Sequence, residues 1–133
     1  MPLRVIPSLH RATHRIALHL ERHPALGVTQ AEAHILAHLS DPAEATVAEL
    51  HRALAHRRST LTSILDRLES RGLIVREASS RDRRSVVVRL TRAGRALARK
   101  VHASLQELES EALRALRAEQ VSALVDLLDR LGR

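Results

Sequence analysis

The stretch of sequence that decides the fold is RRSTLTSILDRLESRGLIVREASSRDRRSVVVRL, residues 57 to 90. Its first half repeats apolar residues at the i, i+3, i+4, i+7 spacing that places side chains on one side of a helix. These residues are Leu61, Ile64, Leu65 and Leu68. Gly72 follows, where a left-handed helix cap favours a residue without a Cβ atom. We therefore expect a short helix with one buried face that stops at Gly72.

Two β-rich runs come after this helix. Ile74 to Ala78 and Ser85 to Leu90 flank a polar loop, residues 79 to 84, whose sequence is SSRDRR. Alternation of apolar and polar residues around such a loop predicts a hairpin, here with a positively charged tip. A helix with a polar outer face beside a basic hairpin is typical of a winged helix, in which the helix enters the major groove of DNA.

The distribution of charge supports a DNA-facing surface in the middle of the chain. Residues 51 to 100 carry fourteen Lys or Arg and four Asp or Glu, a balance of +10. The other 83 residues carry eight and eleven, a balance of −3, and together these give the net charge of +7. A basic centre between neutral or acidic ends indicates a surface that faces phosphates.

Several absences from the composition exclude whole classes of function. The chain has no Phe, Trp or Tyr, so it cannot stack single-stranded bases on aromatic platforms and a duplex reader remains. It has no cysteine, which removes disulfides, thiolate metal sites and thiol redox sensing. It has no glycine-rich phosphate loop and no pair of carboxylates set among histidines, so we expect no enzyme. No apolar run approaches a membrane span, and we expect a soluble cytoplasmic protein.

Capping signals predict helices on both sides of the central stretch. The periodicity of apolar residues predicts a first helix from about residue 7 to 22, a long helix after Thr91 and a last helix around residues 121 to 131. We predict helix starts at Thr29 with Glu32 and at Thr46 with Glu49, a helix end at Asp41-Pro42 and a tight turn at Ala55-His56.

The terminal helices carry apolar stripes that a small winged helix cannot cover. We therefore divide one domain into a winged helix-turn-helix lobe, about residues 29–96, and dimerisation helices, about residues 1–26 and 97–133. Packing of the stripes on a second subunit predicts a homodimer, although packing within one chain is the alternative. A two-fold dimer would present two helices to successive major grooves about 34 Å apart, which implies palindromic DNA.

An ordered set of short motifs resembles the multiple antibiotic resistance regulator (MarR) family. The motifs are TVAEL at residues 46–50, STLTSILDRLE at 59–69, RGLI at 71–74, DRR at 82–84 and LTRAGR at 90–95. The resemblance is strong over residues 29 to 100 and rests on pattern alone in the flanking helices. It implies a homodimeric winged helix-turn-helix repressor or activator in a prokaryotic cytoplasm, mainly α with a small β-wing. Many relatives release DNA when a small phenolic or amphipathic ligand binds.

The resemblance also implies roles for individual residues. The positions that match the family's recognition helix, and so would contact DNA, are Arg57, Arg58, Ser59, Thr60, Thr62, Ser63 and Arg67. In the wing, Arg81, Arg83 and Arg84 would reach DNA, while Asp82 would hold the loop through an ion pair. For Arg67 an ion pair with Asp66 is an equal alternative.

Nine histidines raise the question of a metal or an effector. Three pairs have the i, i+4 spacing that lets two imidazoles share a metal: His10 with His14, His19 with His23, and His34 with His38. A zinc-responsive regulator of the same fold is therefore one alternative, and a winged helix that contacts proteins is another. We expect no resident cofactor and assign no metal ligand. His14, Arg15, His34 and His38 would instead border the family's ligand crevice and accept an aromatic-acid effector.

Overall fold

The computed structural model describes residues 1–40, 42–54 and 57–133. In chain order the elements are α1 (Ile6–Glu21), α2 (Gln30–His38), β1 (Glu44–Thr46), α3 (Val47–Leu54), α4 (Arg58–Ser70), β2 (Ile74–Ala78), β3 (Val86–Leu90), α5 (Arg92–Leu113) and α6 (Ala118–Leu131). This arrangement confirms the predicted fold class, a mainly helical chain with a small β-wing.

The sheet is antiparallel and has the strand order β1-β3-β2. The two predicted wing strands pair over their full length, from Ile74 opposite Leu90 to Ala78 opposite Val86. The short strand β1, which pairs with β3, was not predicted from the sequence. Val88 and Leu90 are buried and Arg89 between them is exposed, so the second half of β3 alternates between the core and solvent.

The core lies between α2, α3, α4, the sheet and the first half of α5. The predicted stripe on α4 is confirmed, because its four apolar residues are each at most 2% exposed. Ile35, Leu36 and Leu39 reach them from the α2 side, and Val101 does so from α5. This cluster holds α4 with its opposite face open to solvent.

The predicted capping boxes form as expected. Thr29 and Glu32 exchange side-chain bonds with each other's backbone N–H groups at 3.1 and 3.3 Å, and Thr46 and Glu49 do so at 3.0 Å each. Gly72 has a φ of 71°, which confirms the left-handed cap after α4. The turn predicted at Ala55-His56 lies outside the described residues, and so does Asp41 of the predicted helix end.

The terminal helices differ sharply in how well they are covered. Helix α1 is tied to α5, since Nε2 of His19 lies 2.9 Å from the carbonyl oxygen and 3.0 Å from Oγ of buried Ser104. Helix α6 has no buried residue at all. None of the helices in the described ranges is long and apolar enough to cross a membrane.

Candidate nucleic-acid interface

Helix α4 begins with an open N-terminus. Arg57 is the N-cap residue in an extended conformation, and its side chain makes no capping hydrogen bond to the first-turn N–H groups. Those groups have no partner within a helix, and together with the helix dipole they favour an anion such as a phosphate. Ser59 and Thr60 are exposed in this first turn. The end of α4 that the sequence assigned to DNA is therefore chemically suited to it.

The next turn of α4 carries two exposed hydroxyl groups. Oγ1 of Thr62 donates to the carbonyl oxygen of Arg58 at 2.9 Å, and Oγ of Ser63 donates to that of Ser59 at 3.0 Å. Each hydroxyl proton is engaged within the helix, which leaves the oxygen lone pairs directed outward as acceptors. In this arrangement the two side chains can accept a hydrogen bond from a base amino group.

The tip of the wing is held by its own side chains. Oγ of Ser79 accepts the N–H groups of Arg81 and Asp82, at 3.2 and 3.4 Å. The carboxylate of Asp82 accepts the N–H of Arg84 at 3.0 Å and the hydroxyl of Ser85 at 3.4 Å. Asp82 therefore does hold the loop. The predicted ion pair is wrong, however, because the carboxylate binds backbone and hydroxyl donors instead of a guanidinium group.

Every acidic residue that the structure describes between positions 29 and 96 is already bonded. Glu32 pairs with Arg71, Asp66 and Glu69 pair with Arg76, Glu44 and Glu77 pair with Arg89, Glu49 caps α3 and Asp82 holds the wing loop. The guanidinium groups of the arginines assigned to DNA take part in none of these bonds. Positive charge is thus left without compensation along α4 and at the tip of the wing, where it attracts phosphates.

The alternative role considered for Arg67 is also wrong. Asp66 does not pair with its neighbour on α4 but with Arg76 of β2, whose Nη2 lies 2.6 Å from Oδ1 of the carboxylate. The same guanidinium donates to Glu69 through Nε at 2.9 Å. That hydrogen bond lowers the pKa of Glu69 and, with the bond to Asp66, raises the pKa of Arg76. Arg67 stays exposed and available to DNA.

Two grooves bring separate predicted residues together. The larger, of about 620 Å³, separates α4 from the wing and is bordered by Thr62 on one side and Arg84 on the other. The smaller, of about 370 Å³, lies between α3 and α4 and places Arg52 beside Arg58. Arg52 was missed by the sequence analysis. Its position in the last turn of an amphipathic α3 is the signal that could have identified it.

The residues assigned to an effector lie on α1 and α2. His14, Arg15, His34 and His38 are all exposed, and none of them lines either groove described above. Of the histidine pairs, His19 and His23 are in contact, with ring centroids 4.8 Å apart. His23 also bonds through Nδ1 to the carbonyl oxygen of His19 at 2.8 Å. Among the residues that the structure describes, no three potential ligands are grouped so that they could hold a metal.

Comparison with known proteins identifies the family. The family model described as MarR family matches residues 26–85. The multiple antibiotic resistance protein MarR of Escherichia coli (strain K12) is 33% identical over 107 residues, which are 80% of this chain and 74% of that protein. The chain belongs to the MarR family. Members are transcriptional regulators, which agrees with the prediction that the chain is not an enzyme.

Two solved structures match this MarR-family chain along almost its whole length. One is a cysteine-to-serine variant of Escherichia coli MarR complexed with operator DNA, with a TM-score of 0.74 and 30% identity, covering 96% of this chain and 94% of that one. The other is NadR in complex with 4-hydroxyphenylacetate, with a TM-score of 0.83 and 26% identity, covering 100% and 99%.

Proposed function

We propose that the protein is a homodimeric, effector-responsive regulator that binds a palindromic operator through two winged-helix lobes in a prokaryotic cytoplasm. The observation that carries this proposal is the uncompensated positive charge on α4 and the wing. A lobe whose described carboxylates are all bonded, and which keeps exposed arginines on α4 and at the wing tip, has the charge distribution that a duplex requires. The match to a MarR structure solved with operator DNA supports duplex DNA as the partner.

Helix α4 and the wing would make different kinds of contact with DNA. Helix α4 would enter the major groove, where Arg58, Thr62 and Ser63 meet base edges and neighbouring phosphates. The wing would place Arg81 and Arg83 along the backbone or in the minor groove, where guanidinium groups are attracted by charge and not by sequence. Sequence recognition therefore belongs to the helix, and most of the salt-dependent affinity belongs to the wing.

The exposed apolar face of α6 supports the homodimer. Leu124, Val125, Leu127, Leu128 and Leu131 are between 39% and 60% exposed. Near the other end of the chain, Leu3, Val5 and Ile6 are also exposed. Isolated apolar residues are common on a surface, but a run of them along one helix marks an interface. A second copy of the chain is the occupant that would cover both termini at once.

The proposed effector is a small aromatic acid. NadR, which this chain matches over its whole length, is seen with 4-hydroxyphenylacetate. Here Arg15, His14, His34 and His38 of α1 and α2 are exposed, and guanidinium and imidazole groups are chemically suited to bind a carboxylate. These helices would border a crevice between the dimerisation helices and the DNA-binding lobe. An effector bound there would shift operator affinity only as far as it prefers one spacing of the two lobes.

Selection of DNA from a random duplex library tests the central claim. The wild-type chain should enrich an inverted repeat whose half-sites are about one helical turn apart. Fluorescence anisotropy should then give an affinity for that duplex at least a thousandfold above that for random duplex, in the range of about 10³ to 10⁷ expected of specific binders. Failure to enrich any sequence, with weak binding to all duplexes, would favour a protein-interaction module.

A further inference from the structure

Arg76 is a charged residue on the inner face of the sheet. It lies opposite Val88 in the register of β2 and β3, and Val88 is completely buried. Residues two apart on a strand share a face, so Arg76 points the same way as buried Ile74. An arginine on this face needs a partner, because desolvation without one is costly.

The partner is the recognition helix α4. The guanidinium of Arg76 bonds to Asp66 at 2.6 Å and to Glu69 at 2.9 and 3.4 Å. A planar guanidinium that bonds to two carboxylates one helical turn apart fixes the orientation of β2 relative to α4 as well as the distance between them. This is a side-chain bridge from the wing to the exposed side of α4, separate from the apolar core.

The two carboxylates lie next to the part of α4 that is proposed to contact DNA. Asp66 is four residues after Thr62 and three after Ser63, so it lies directly beside both on the helix surface. These are the hydroxyl residues proposed to meet bases. An unpaired carboxylate at this position would repel phosphates and would be free to turn toward the groove. The bridge therefore has two separable effects, which are neutralisation of charge and control of the angle between wing and helix.

We propose that Arg76 is a positioning residue for DNA recognition, holding the wing at a fixed orientation to α4 so that both engage one duplex together. The inference rests on the proposed function of the lobe. Exposed ion pairs contribute little to stability, so the expected effect of losing Arg76 lies in how the duplex is recognised more than in folding.

The chain contains a matched control in Arg89. This residue also pairs with two carboxylates, Glu44 and Glu77, at 3.1 and 3.0 Å. It points to the outer face of the sheet and has no bond to α4. Arg76→Gln and Arg89→Gln therefore remove the same charge and leave the same number of carboxylates unpaired. Only Arg76→Gln breaks the bridge between wing and helix.

Binding to the selected operator and to random duplex separates these variants. Arg76→Gln should lower the preference for operator over random duplex roughly tenfold, as expected for coupled contacts, whereas Arg89→Gln should change that preference by less than about threefold. The triple variant Arg76→Gln, Asp66→Asn, Glu69→Gln removes both unpaired carboxylates together with the bridge, and leaves the local charge slightly more positive than in the wild type. It should regain binding to random duplex but not the preference. Full recovery of the preference would show that Arg76 acts through charge alone and would overturn the proposal.

A distance measurement without DNA tests independently whether Arg76 fixes the orientation of the wing relative to α4. The chain has no cysteine, so Thr60→Cys and Ser80→Cys place spin labels only on α4 and the wing, in chains diluted with unlabelled protein to isolate distances within one subunit. The distance distribution should broaden with Arg76→Gln and stay narrow with Arg89→Gln. Equal distributions would overturn the proposal even if operator binding by the wild type had confirmed the function. If the wild type bound no duplex, the proposed DNA-binding function would be wrong, but this measurement would still test whether Arg76 holds the wing against α4.

Discussion

Gly94 lies against the carbonyl group of Leu73. A Cβ atom built at position 94 would sit 1.9 Å from the Leu73 oxygen and 2.9 Å from its carbon. The same oxygen accepts the N–H of Thr91 at 3.0 Å, and Oγ1 of Thr91 donates to the carbonyl of Gly72 at 2.7 Å. These contacts join the chain just after α4 to the start of α5.

Gly94→Ala should therefore destabilise the protein strongly. The added methyl group meets backbone and not a flexible side chain, so relief requires α5 to move away, which costs about 1–3 kcal/mol or more. Urea unfolding at constant protein concentration measures the loss. Gly132→Ala is the control, because a Cβ there meets nothing closer than 3.6 Å. If both substitutions had the same small effect, the close junction would not exist.

Local signals predicted much of this lobe before the structure was known. The α4 stripe, the cap at Gly72 and the boxes at Thr29 and Thr46 all depend on residues no more than seven positions apart, and all formed. Strand β1 was missed because three residues carry no periodicity, and the strand exists only through pairing with β3, more than forty residues away. Its last residue, Thr46, was recognised only as a helix cap.

Long-range ion pairs were the main failure for the candidate site. The charge count over residues 51 to 100 treats all its arginines as one basic group, but Arg89 is held by two glutamates on other strands. A pair between Asp66 and Arg67 was one of two alternatives for Arg67, whereas the fold brings Arg76 to Asp66 from ten residues away. Charge counts reveal that a surface is basic. Only the register of the sheet reveals which arginines are already paired with carboxylates.

The bridge at Arg76 should give a defined pH dependence. The hydrogen bond from Arg76 lowers the pKa of Glu69 below its ordinary value of 4.5. A carboxylate with a lowered pKa stabilises the folded state above its unfolded pKa and loses this contribution as pH falls through the folded value. The difference in free energy of unfolding between wild type and Arg76→Gln should thus be constant from pH 7 to about 5 and shrink below 4.5. A difference that grew on acidification would contradict this assignment.

The exposed apolar face of helix α6 should form part of the dimer interface, so a charge placed on it should weaken the dimer. Leu127 is 60% exposed in the single chain, and Leu127→Lys would place a charge in the proposed subunit interface. Dimer affinity should fall by about tenfold or more, as for a central interface residue. Val75→Lys is the control, since Val75 is 38% exposed on the outer face of the sheet. Sedimentation equilibrium at several concentrations compares them. A stable folded monomer of 14.8 kDa at every concentration of wild type would exclude the dimer.

The recognition helix and the wing should respond differently to alanine. Arg83→Ala removes a charge-driven contact, so binding to operator and random duplex should weaken by similar factors and the salt dependence should become shallower. Ser63→Ala or Arg58→Ala should cost about 1–3 kcal/mol, mainly on the operator. Arg89→Ala supplies the charge-matched control, because Arg89 is occupied by two glutamates. An Arg83→Ala variant with unchanged affinities and salt slope would remove the wing from the interface.

The residues on α1 and α2 should separate an effector from a metal. A carboxylate such as 4-hydroxyphenylacetate or salicylate would need the guanidinium of Arg15, so Arg15→Ala should abolish the response to the acid while operator binding stays intact. Zinc would need deprotonated imidazoles, and its effect should weaken sharply below about pH 6. His10→Ala and His14→Ala together would abolish a zinc response. Operator binding with each acid, with zinc and with chelator, on wild type and these variants, distinguishes the two mechanisms. If none of these ligands changed operator affinity by even about twofold, a coupling free energy below about 0.4 kcal/mol, the assignment of this surface to an effector would be wrong.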